Sequence, residues 1–462
     1  MCDLTPLRPL SAVILAAGKG ERMRSSLPKV MHTLAGKTLL ERVLLTATRL
    51  SCNEIYVVYG HQGEHVRQAH AASSVRWVEQ KQQSGTGHAV LQVIDSIPVS
   101  HHVIVLYGDV PLITERTLAP LVKAAAETGF SLLTSRLDDP TGYGRVVRDD
   151  AGNILSIVEE KDADEREKLL SEINTGMMVV RADLLKKWLG MLTDDNAQKE
   201  YLLTDIVGHA VSEGVGVNTA SPASVMEIKG VNDRAQLAEL ERHYQLMQAR
   251  MLMRQGVTLA DPARFDLRGD LEAGKDVFMD INIVIEGDVR IGNHVSIGPN
   301  CVIRDSHIGD AATISANCVI DNAVIGKRNR IGPFARIRPG SRLDEDVQIG
   351  NFVEVKQSDI GRGSKANHLS YIGDSEVGER VNVGAGTITC NYDGVEKHKT
   401  IIGNDVFIGS NTELIAPLKI NDGATIAAGA TISKDVEADV LAMSKRESKV
   451  IPGWKRDKRR KT

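Results

Sequence analysis

The chain is poor in aromatic residues and lacks any long apolar run. Only 4% of its 462 residues are Phe, Trp or Tyr, so stacked rings cannot supply most of a core. No apolar stretch approaches the roughly 20 residues that a membrane-spanning helix needs. The opening residues, MCDLTPLRPL, have neither the charged segment nor the apolar segment of a secretory signal. We therefore expect a cytoplasmic protein with no membrane partner.

Cysteine is scarce as well, and neither sign of charge dominates. The five cysteines are scattered, odd in number and free of any CxxC pair, which favours reduced thiols over a disulfide framework. The net charge of −4 at pH 7 argues against nucleic acid as the main partner. The basic segment from Lys455 to Lys461 is short, and we expect a solvated end there. The length predicts about two or three domains.

The second half of the chain instead carries a branched aliphatic residue at every sixth position. The two longest runs are Ile402, Ile408, Leu414, Ile420, Ile426, Ile432 and Ile325, Ile331, Ile337, Leu343, Ile349, Val355. A small or β-branched residue precedes the aliphatics by two positions, as at Val295, Ala312, Ala335, Val353, Val406, Thr412, Ala424 and Ala430. Positions two apart point the same way in a strand. The period of six therefore predicts a parallel β-helix, since an α-helical stripe would repeat at three and four.

Two cysteines fit this grid. Cys301 and Cys318 occupy the same small position, one coil apart. We expect both to be buried as small apolar side chains rather than exposed as reactive thiols.

The first half of the chain opens on a different pattern. An apolar strand over residues 12–17 runs into the turn GKG at 18–20, an arrangement that brings backbone N–H groups up to phosphates. The spacing fits neither a P-loop nor GxGxxG, so an ordinary structural turn remains open. Arg22 and Lys29 follow, and two cations would suit a triphosphate; the alternative is a pair of surface charges.

Strands and helices then alternate. The pattern predicts strands at 55–59, 75–78 and 103–107 and helices at 63–72 and 86–94. This βαβ rhythm indicates a doubly wound sheet, whose ligands bind at the carboxyl ends of the strands. Asp109 follows such an end, where one carboxylate with phosphates and water can hold Mg²⁺. An Asp that caps the following turn is the other interpretation.

A helix is predicted between the two halves. Apolar residues at positions 237, 240, 244, 247 and 251 recur at steps of three and four, and Gly256 is a suitable stop. We therefore expect a first domain at 1–233, a linker helix at 234–256 and a hexapeptide-repeat domain at 257–462 that ends in the basic tail.

Four segments carry a resemblance to a known family. LAAGKGERM at 15–23 and LPKV at 27–30 resemble the signature of sugar-phosphate nucleotidyltransferases. Together with NHLSYIGD at 367–374 and NVGAGTITCNYDG at 382–394, they resemble the bifunctional enzymes that acetylate glucosamine-1-phosphate and then uridylylate the product. The match runs in the right order over nearly the whole chain.

The resemblance implies both architecture and activity. The fold would be an α/β Rossmann-like nucleotidyltransferase domain followed by an all-β left-handed parallel β-helix. The chain would acetylate glucosamine-1-phosphate with acetyl-CoA and then transfer UMP from UTP. The products would be UDP-N-acetylglucosamine, a precursor for peptidoglycan and lipopolysaccharide, and pyrophosphate. Mg²⁺ would be the cofactor, acetyl-CoA and UTP the co-substrates, and a homotrimer the assembly.

The resemblance also implies residue roles in the first site. The residues that would line the nucleotide are Leu15, Ala16, Ala17 and Gly18, with the uracil read by Gln80, Gln83, Gly85 and Thr86. Arg22 and Lys29 would hold phosphates as catalytic cations. Tyr107 and Gly108 lie beside Asp109, which with Asn232 would bind Mg²⁺. The amino sugar would be held by Gly144, Glu159 and Asn174.

The second site needs a base, because an amine must lose a proton as it attacks a thioester. Histidine is the usual choice near neutral pH, but the chain has 13 histidines, and on residue type alone His368 could equally be a surface residue. The resemblance makes His368 the base, and Glu354 could orient it. It also assigns the sugar phosphate to Arg338 and Lys356, and the sugar to Tyr371 and Asn382.

The acetyl-CoA contacts follow from the same resemblance. They are Ala385, Asn391, Tyr392, Ser410 and Ala428. Asn391 and Tyr392 lie where the hexad grid breaks, between residues 389 and 402, and an insertion in a solenoid forms a loop that carries function. After LAMS the family usually has Arg, whereas this chain has Lys445 and then Arg446. Lysine cannot form a bidentate fork with phosphate, so either residue could serve the coenzyme.

Two other functions compete with this one. The first is a monofunctional sugar-phosphate nucleotidyltransferase whose β-helix is only regulatory, which would need neither His368 nor Asn391. The second is a non-catalytic scaffold, and Arg22, Lys29 and Asp109 argue against it.

Overall fold

The protein is described by a computed structural model over residues 9–18, 20–60, 63–71, 74–444 and 450–454. The chain separates into two compact units, Met1–Tyr244 and Gln245–Thr462. Within the described residues, no helix has the length and apolar character needed to cross a membrane.

The first unit is an α/β domain. Its strands are β1 Leu10–Ala16, β2 Thr33–Leu34, β3 Lys37–Thr38, β4 Glu54–Tyr59, β5 Arg76–Glu79, β6 His102–Tyr107, β7 Phe130–Arg136, β8 Arg145–Arg148, β9 Ile154–Val158, β10 Glu172–Arg181 and β11 Asn218–Ala220. Its helices are α1 Leu39–Arg49, α2 Gly63–Ala69, α3 Thr86–Leu91, α4 Glu115–Thr128, α5 Ala182–Leu189 and α6 Ile206–Ser212.

The main sheet of this unit has the strand order β11-β7-β10-β6-β1-β4-β5. Strand β1 pairs in parallel with both β4 and β6, as the alternating pattern predicted. Successive residues of β1 enter opposite clusters, Ile14 on one face and Val13 on the other, so apolar side chains cover both sides of the sheet. The structure adds antiparallel pairing: β10 lies antiparallel between β6 and β7, and β8 pairs antiparallel with both β10 and β9.

Helix α7, Arg234–Arg254, follows. The apolar stripe holds only in its first part: Leu240 is fully buried, but Met247 and Met251 are 44% and 46% exposed. In the second part the buried residues are Ala249 and Leu252. The helix predicted from steps of three and four is therefore present, while the buried residues of its second part differ from the apolar positions of the pattern.

The second unit is a solenoid of short parallel strands in three stacks, here called faces A, B and C. Face A contains Thr258–Leu259, Phe278–Met279, Ser296–Ile297, Thr313–Ile314, Arg330–Ile331, Gln348–Asn351, Lys365–His368, Asn382–Val383, Phe407–Ile408, Thr425–Ile426 and Leu441–Ala442. The long strands Phe265–Ala273 and Ile283–Ile291 begin both other faces.

The remaining strands divide between faces B and C. Face B continues with Val302–Arg304, Val319–Asp321, Arg336–Ile337, Glu354–Lys356, Tyr371–Gly373, Ile388–Cys390, Glu413–Ile415 and Thr431–Ile432. Face C continues with His307–Ile308, Ala323–Ile325, Ser341–Leu343, Asp359–Ile360, Ser375–Val377, Thr400–Ile402 and Leu418–Ile420. Together the three stacks form the left-handed parallel β-helix that the hexads and the resemblance predicted.

The interior of the solenoid is made of the residues that the grid selects. Ile297 pairs with Ile314 and Ile314 with Ile331, and one core cluster runs through all three. The small positions are buried too, including Cys301 and Cys318, which are both fully inaccessible and reduced. The prediction for these two thiols is therefore confirmed.

We predict that Ile314→Ala destabilises this unit by about 2–5 kcal/mol, because it removes a rung of the interior ladder and leaves a cavity. Thr313 is the matched control, since it precedes Ile314 in the same strand but is exposed. Thr313→Ala should change stability by no more than about 0.5 kcal/mol. Urea denaturation followed by circular dichroism measures both variants, and equal losses would contradict the assigned inward and outward positions.

Candidate functional site

The first unit has a cavity of about 540 Å³ at the carboxyl ends of β1 and β6. The cavity is lined by Leu15, Ala16, Ala17, Gly18, Arg22, Lys29, Gln80, Gln83, Gly85, Thr86, Tyr107, Asp109 and Asn232. Gly108 is not part of the lining; its N–H donates to the Leu15 carbonyl at 2.9 Å and closes the wall between β1 and β6. Residues from four separate sequence segments thus converge on one cavity.

Close backbone approaches shape this cavity. Gly20 has a φ of 64°, and a Cβ there would lie 2.8 Å from Cβ of Lys29. Any larger residue would displace Lys29 and would also be strained in the left-handed region. The Gln83 amide donates to the Ala17 carbonyl at 2.5 Å, which connects the segment predicted to read the base with the turn after β1.

The side-chain oxygens of Asp109 and Asn232 both contact the ammonium group of Lys29 in this cavity. Lys29 Nζ forms an ion pair with Asp109 and lies 3.3 Å from Oδ1 of Asn232. The Val231 N–H donates to the Asp109 carbonyl at 2.9 Å, so the backbone holds the two oxygen-bearing residues together. No group of three His, Cys, Asp or Glu side chains suited to a metal occurs in the described parts of the chain. A carboxylate with one amide oxygen suits Mg²⁺, which takes its other ligands from phosphates and water.

The predicted amino-sugar residues form a neighbouring cluster rather than part of the cavity lining. The Asn174 N–H donates to the Gly144 carbonyl at 2.8 Å, and the Thr204 hydroxyl donates to Glu159 at 3.0 Å. Burial raises the pKa of Glu159. Burial and the nearby Glu159 and Asp109 carboxylates raise the pKa of Tyr107, so Tyr107 lies between the cluster and the cavity.

On face B of the solenoid, a row of outward-facing charged side chains alternates in sign over several coils and then stops alternating. Arg268, Glu286, Arg304 and Asp321 follow one another on successive coils with alternating sign, joined for example by a 3.1 Å pair between Arg268 and Glu286. The next two positions are both cationic, Arg338 and Lys356. Like charges opposite each other destabilise a sheet, so this pair marks a place where an anion would be favourable.

Acidic and polar groups surround the two cations. Arg338 pairs with Glu354 at 2.7 Å, and Lys356 with Asp374 at 3.1 Å. Asn391 donates to Asp374 as well, and its amide lies 3.5 Å from the Tyr371 hydroxyl. The loop at 391–399 therefore reaches back to the cation pair.

A third cation, Lys397, lies in the same loop and was not among the residues predicted from the sequence. The adjacent Lys356 ammonium lowers the pKa of Lys397, which shows how close the two amines lie. The signal was present in the insertion CNYDGVEKHK, where a lysine follows Asn391 and Tyr392, but hexad counting does not say where an insertion folds.

His368 ends a face A strand and is exposed. Its Nδ1 lies 2.9 Å from Oδ1 of Asn351. Glu354, the residue expected to orient His368, lies on face B and pairs with Arg338 at 2.7 Å. Asn382 lies on the next coil of face A, in register with Lys365.

Three of the predicted acetyl-CoA residues, Ala385, Ser410 and Ala428, form a row across successive coils. Backbone N–H groups join the coils beside them, from Asn411 to the Ala385 carbonyl at 2.7 Å and from Gly429 to the Ser410 carbonyl at 2.8 Å. Ala428 packs against the backbone of Gly409, one coil below. Small side chains in such a row leave a track along the surface. Tyr392 is 60% exposed, while Lys445 and Arg446 lie outside the described residues.

Comparison with known proteins gives matches over both units. The matching family models are a MobA-like NTP transferase domain at residues 12–195, a GMPPB C-terminal domain at 269–360 and a bacterial transferase hexapeptide of six repeats at 399–434. A Methylococcus capsulatus protein called "Bifunctional protein GlmU" is 55% identical over 96% of this chain and 97% of its own length. Proteins of the same name from Idiomarina loihiensis and Pseudomonas entomophila are 53% and 52% identical, over 98% and 97% of this chain and 99% and 98% of their own lengths.

We predict that Glu159→Gln raises the thermal unfolding midpoint of the first unit at neutral pH. Because burial raises the pKa of Glu159, the folded state loses stability as the pH rises above the ordinary glutamate range, and the amide removes this penalty. Thr204 can still donate to the amide oxygen. Scanning calorimetry at several pH values should show the difference shrinking towards acid. Glu165→Gln is the control, since that side chain is 92% exposed, and an equal effect there would contradict the burial argument.

Proposed function

The chain belongs to the family of bifunctional GlmU proteins, and on that premise we propose how its residues divide two reactions between two sites. The protein is a bifunctional enzyme: it acetylates glucosamine-1-phosphate with acetyl-CoA, and it transfers UMP from UTP to N-acetylglucosamine-1-phosphate. The observation that supports the assignment is that each unit gathers its own cations beside polar partners, Lys29 in the first and Arg338 with Lys356 in the second. The division into domains at 1–233 and 257–462 with a helix at 234–256 is part of the proposal.

In the first site, the sugar-phosphate oxygen attacks the α-phosphorus of UTP, and pyrophosphate leaves from the opposite side. Arg22 and Lys29 line the cavity and hold the phosphates, so catalysis is mainly positioning and charge neutralisation. Asp109 and Asn232 would hold Mg²⁺, which supplies further neutralisation of the triphosphate when bound. Gly144, Glu159 and Asn174 orient the sugar.

In the second site, Arg338 and Lys356 anchor the sugar phosphate, with Tyr371 and Asn382 on the sugar. His368 Nε2 takes a proton from the amine as the nitrogen attacks the thioester carbonyl. The C–N bond forms, the C–S bond breaks, and the proton passes to the departing thiolate. Ala385, Asn391, Tyr392, Ser410 and Ala428 border acetyl-CoA, with Lys445 or Arg446 on its phosphates.

Exposed apolar residues support a homotrimer. Phe334 and Phe352 stack with ring centroids 5.2 Å apart and are 49% and 56% exposed, and Leu369 on the next coil is 62% exposed. All three have positive φ, between 48° and 55°, which bulky residues rarely adopt; the same corner carries Asn300 and Asn317 on earlier coils.

Strained, exposed phenylalanines in a chain so poor in aromatics indicate a covered surface. A threefold assembly would cover this corner in every copy with one type of interface. Leu369 follows His368 directly, so the same contact would complete the acetyl site. UTP and acetyl-CoA are cytoplasmic metabolites, and we place both reactions there.

We predict that Phe352→Asp converts the trimer to a monomer, because it places a charge in the contact. Acetyl transfer should fall with assembly while uridylyl transfer is retained. Light scattering measures the mass, and Phe278→Asp is the control, since Phe278 is also exposed but lies on a strand of face A rather than at this corner. A trimer that survives Phe352→Asp would exclude this corner as the interface.

We also predict that the two reactions separate by mutation. Asp109→Asn should lower uridylyl transfer by about a hundredfold or more and spare acetyl transfer. His368→Ala should lower acetyl transfer by about 10²–10⁴-fold and spare uridylyl transfer. Each variant thus serves as the folding control for the other.

The measurement for this pair is mass spectrometry after incubation with glucosamine-1-phosphate, acetyl-CoA, UTP and Mg²⁺. Wild type should yield UDP-N-acetylglucosamine, and His368→Ala should yield it only from added N-acetylglucosamine-1-phosphate. Loss of both reactions in either variant would overturn the two-site assignment. Wild-type protein that uridylylates but does not acetylate would favour the regulatory solenoid instead.

A further inference from the structure

Asn351 and His368 occupy partner positions on neighbouring coils of face A. Asn351 Oδ1 lies 2.9 Å from His368 Nδ1. A carbonyl oxygen only accepts, so the neutral imidazole must carry its proton on Nδ1 to make this bond. Nε2 is then left with a free lone pair.

The local backbone is built to hold this pair. The strands Gln348–Asn351 and Lys365–His368 have four residues each, whereas every other strand described on face A has two. Because these two strands are longer, their pairing extends to Asn351 and His368. Gly350 allows it, because a Cβ there would overlap the backbone of Asn367.

Further hydrogen bonds fix both ends of the pair. The Leu369 N–H donates to the Asn351 carbonyl at 3.0 Å. The Ser370 hydroxyl donates to the His368 carbonyl at 2.8 Å. The backbone on each side is therefore held, and the imidazole has one well-defined partner for Nδ1.

We propose that Asn351 is a positioning residue for acetyl transfer, which fixes the tautomer and orientation of the His368 ring. The proposal rests on the proposed role of His368 as the base, because that role requires an unprotonated Nε2. Only the tautomer that Asn351 selects provides it.

The partner's neutrality matters for the proton's return. A carboxylate partner would stabilise the imidazolium after it has taken the proton. Asn351 orients the ring without adding that charge, so the imidazolium remains a ready donor to the departing thiolate. Glu354, the carboxylate expected in this place, is paired with Arg338.

The first test is kinetic and uses the full-length protein. Asn351→Leu removes the acceptor at nearly constant volume, and it should lower kcat for acetyl transfer about ten- to a hundredfold while KM for both substrates stays the same. Asn351→Asp keeps an oxygen acceptor and should lose less of kcat than Asn351→Leu, although its charge slows the return of the proton from the imidazolium. Uridylyl transfer and the light-scattering mass are the controls for folding and assembly.

The second test reads the tautomer itself. Nuclear magnetic resonance of ¹⁵N-histidine-labelled protein distinguishes a protonated from an unprotonated ring nitrogen, and His368→Ala assigns the signal. Wild type and Asn351→Asp should show Nδ1–H at a pH where the ring is neutral. Asn351→Leu should shift towards Nε2–H, the form that free imidazole side chains prefer.

The outcomes distinguish failure of the Asn351 proposal from failure of the proposed role of His368 as the base. A wild-type ring protonated on Nε2 would overturn the proposal without any variant, and so would an unchanged tautomer and kcat in Asn351→Leu. Full acetyl transfer by His368→Ala would instead overturn the role of His368 as base, whatever its tautomer.

Discussion

The stacking register of the solenoid is the constraint on which its chemistry depends. On most coils a residue lies directly over a partner 17 or 18 positions away, so a side chain's neighbours are set by coil length as much as by its own strand. Inside, this places aliphatic on aliphatic and gives a continuous core. Outside, it brings two cations, or a histidine and an asparagine, to adjacent positions without any long-range coincidence of loops.

The two units solve different electrostatic problems. In the first, a cavity at the ends of parallel strands gathers Lys29, Asp109 and Asn232 from distant parts of the chain, as doubly wound sheets do. Phosphoryl transfer depends mainly on positive charges that are held in fixed positions. In the second, the proposed anchor for phosphate lies where the alternation of outward charges ends, at Arg338 and Lys356. The proposed base, His368, ends a strand on an adjoining face.

Much of this could be predicted from the sequence, for physical reasons. A six-residue repeat covers one short strand and the turn after it. The same positions of each repeat therefore face inward, and they predicted the buried residues, including Cys301 and Cys318. The side chains predicted to follow apolar strands, such as Asp109 after the strand at 102–107, do line one cavity of the first unit. What could not be predicted was pairing between coils: Asn351 and His368 are 17 residues apart, and that spacing has meaning only when the coil length is known. Likewise, the apolar spacing predicted the helix at 234–254 but not its buried residues, because Met247 follows the helical period and is 44% exposed.

The loop at 391–399 shows what this register permits. Partners across that coil are 25 residues apart, yet Asn382 lies over Phe407 and the strands resume as before. The loop leaves the β-helix at one corner, and the chain then rejoins it at the next stacked strand. The pairing between the coils on either side is therefore kept. In such an architecture the stacked strands determine folding, while the loop residues are free to determine what is recognised. Loops of other lengths and compositions could be exchanged at this corner, and specificity could diversify while the stack stays the same.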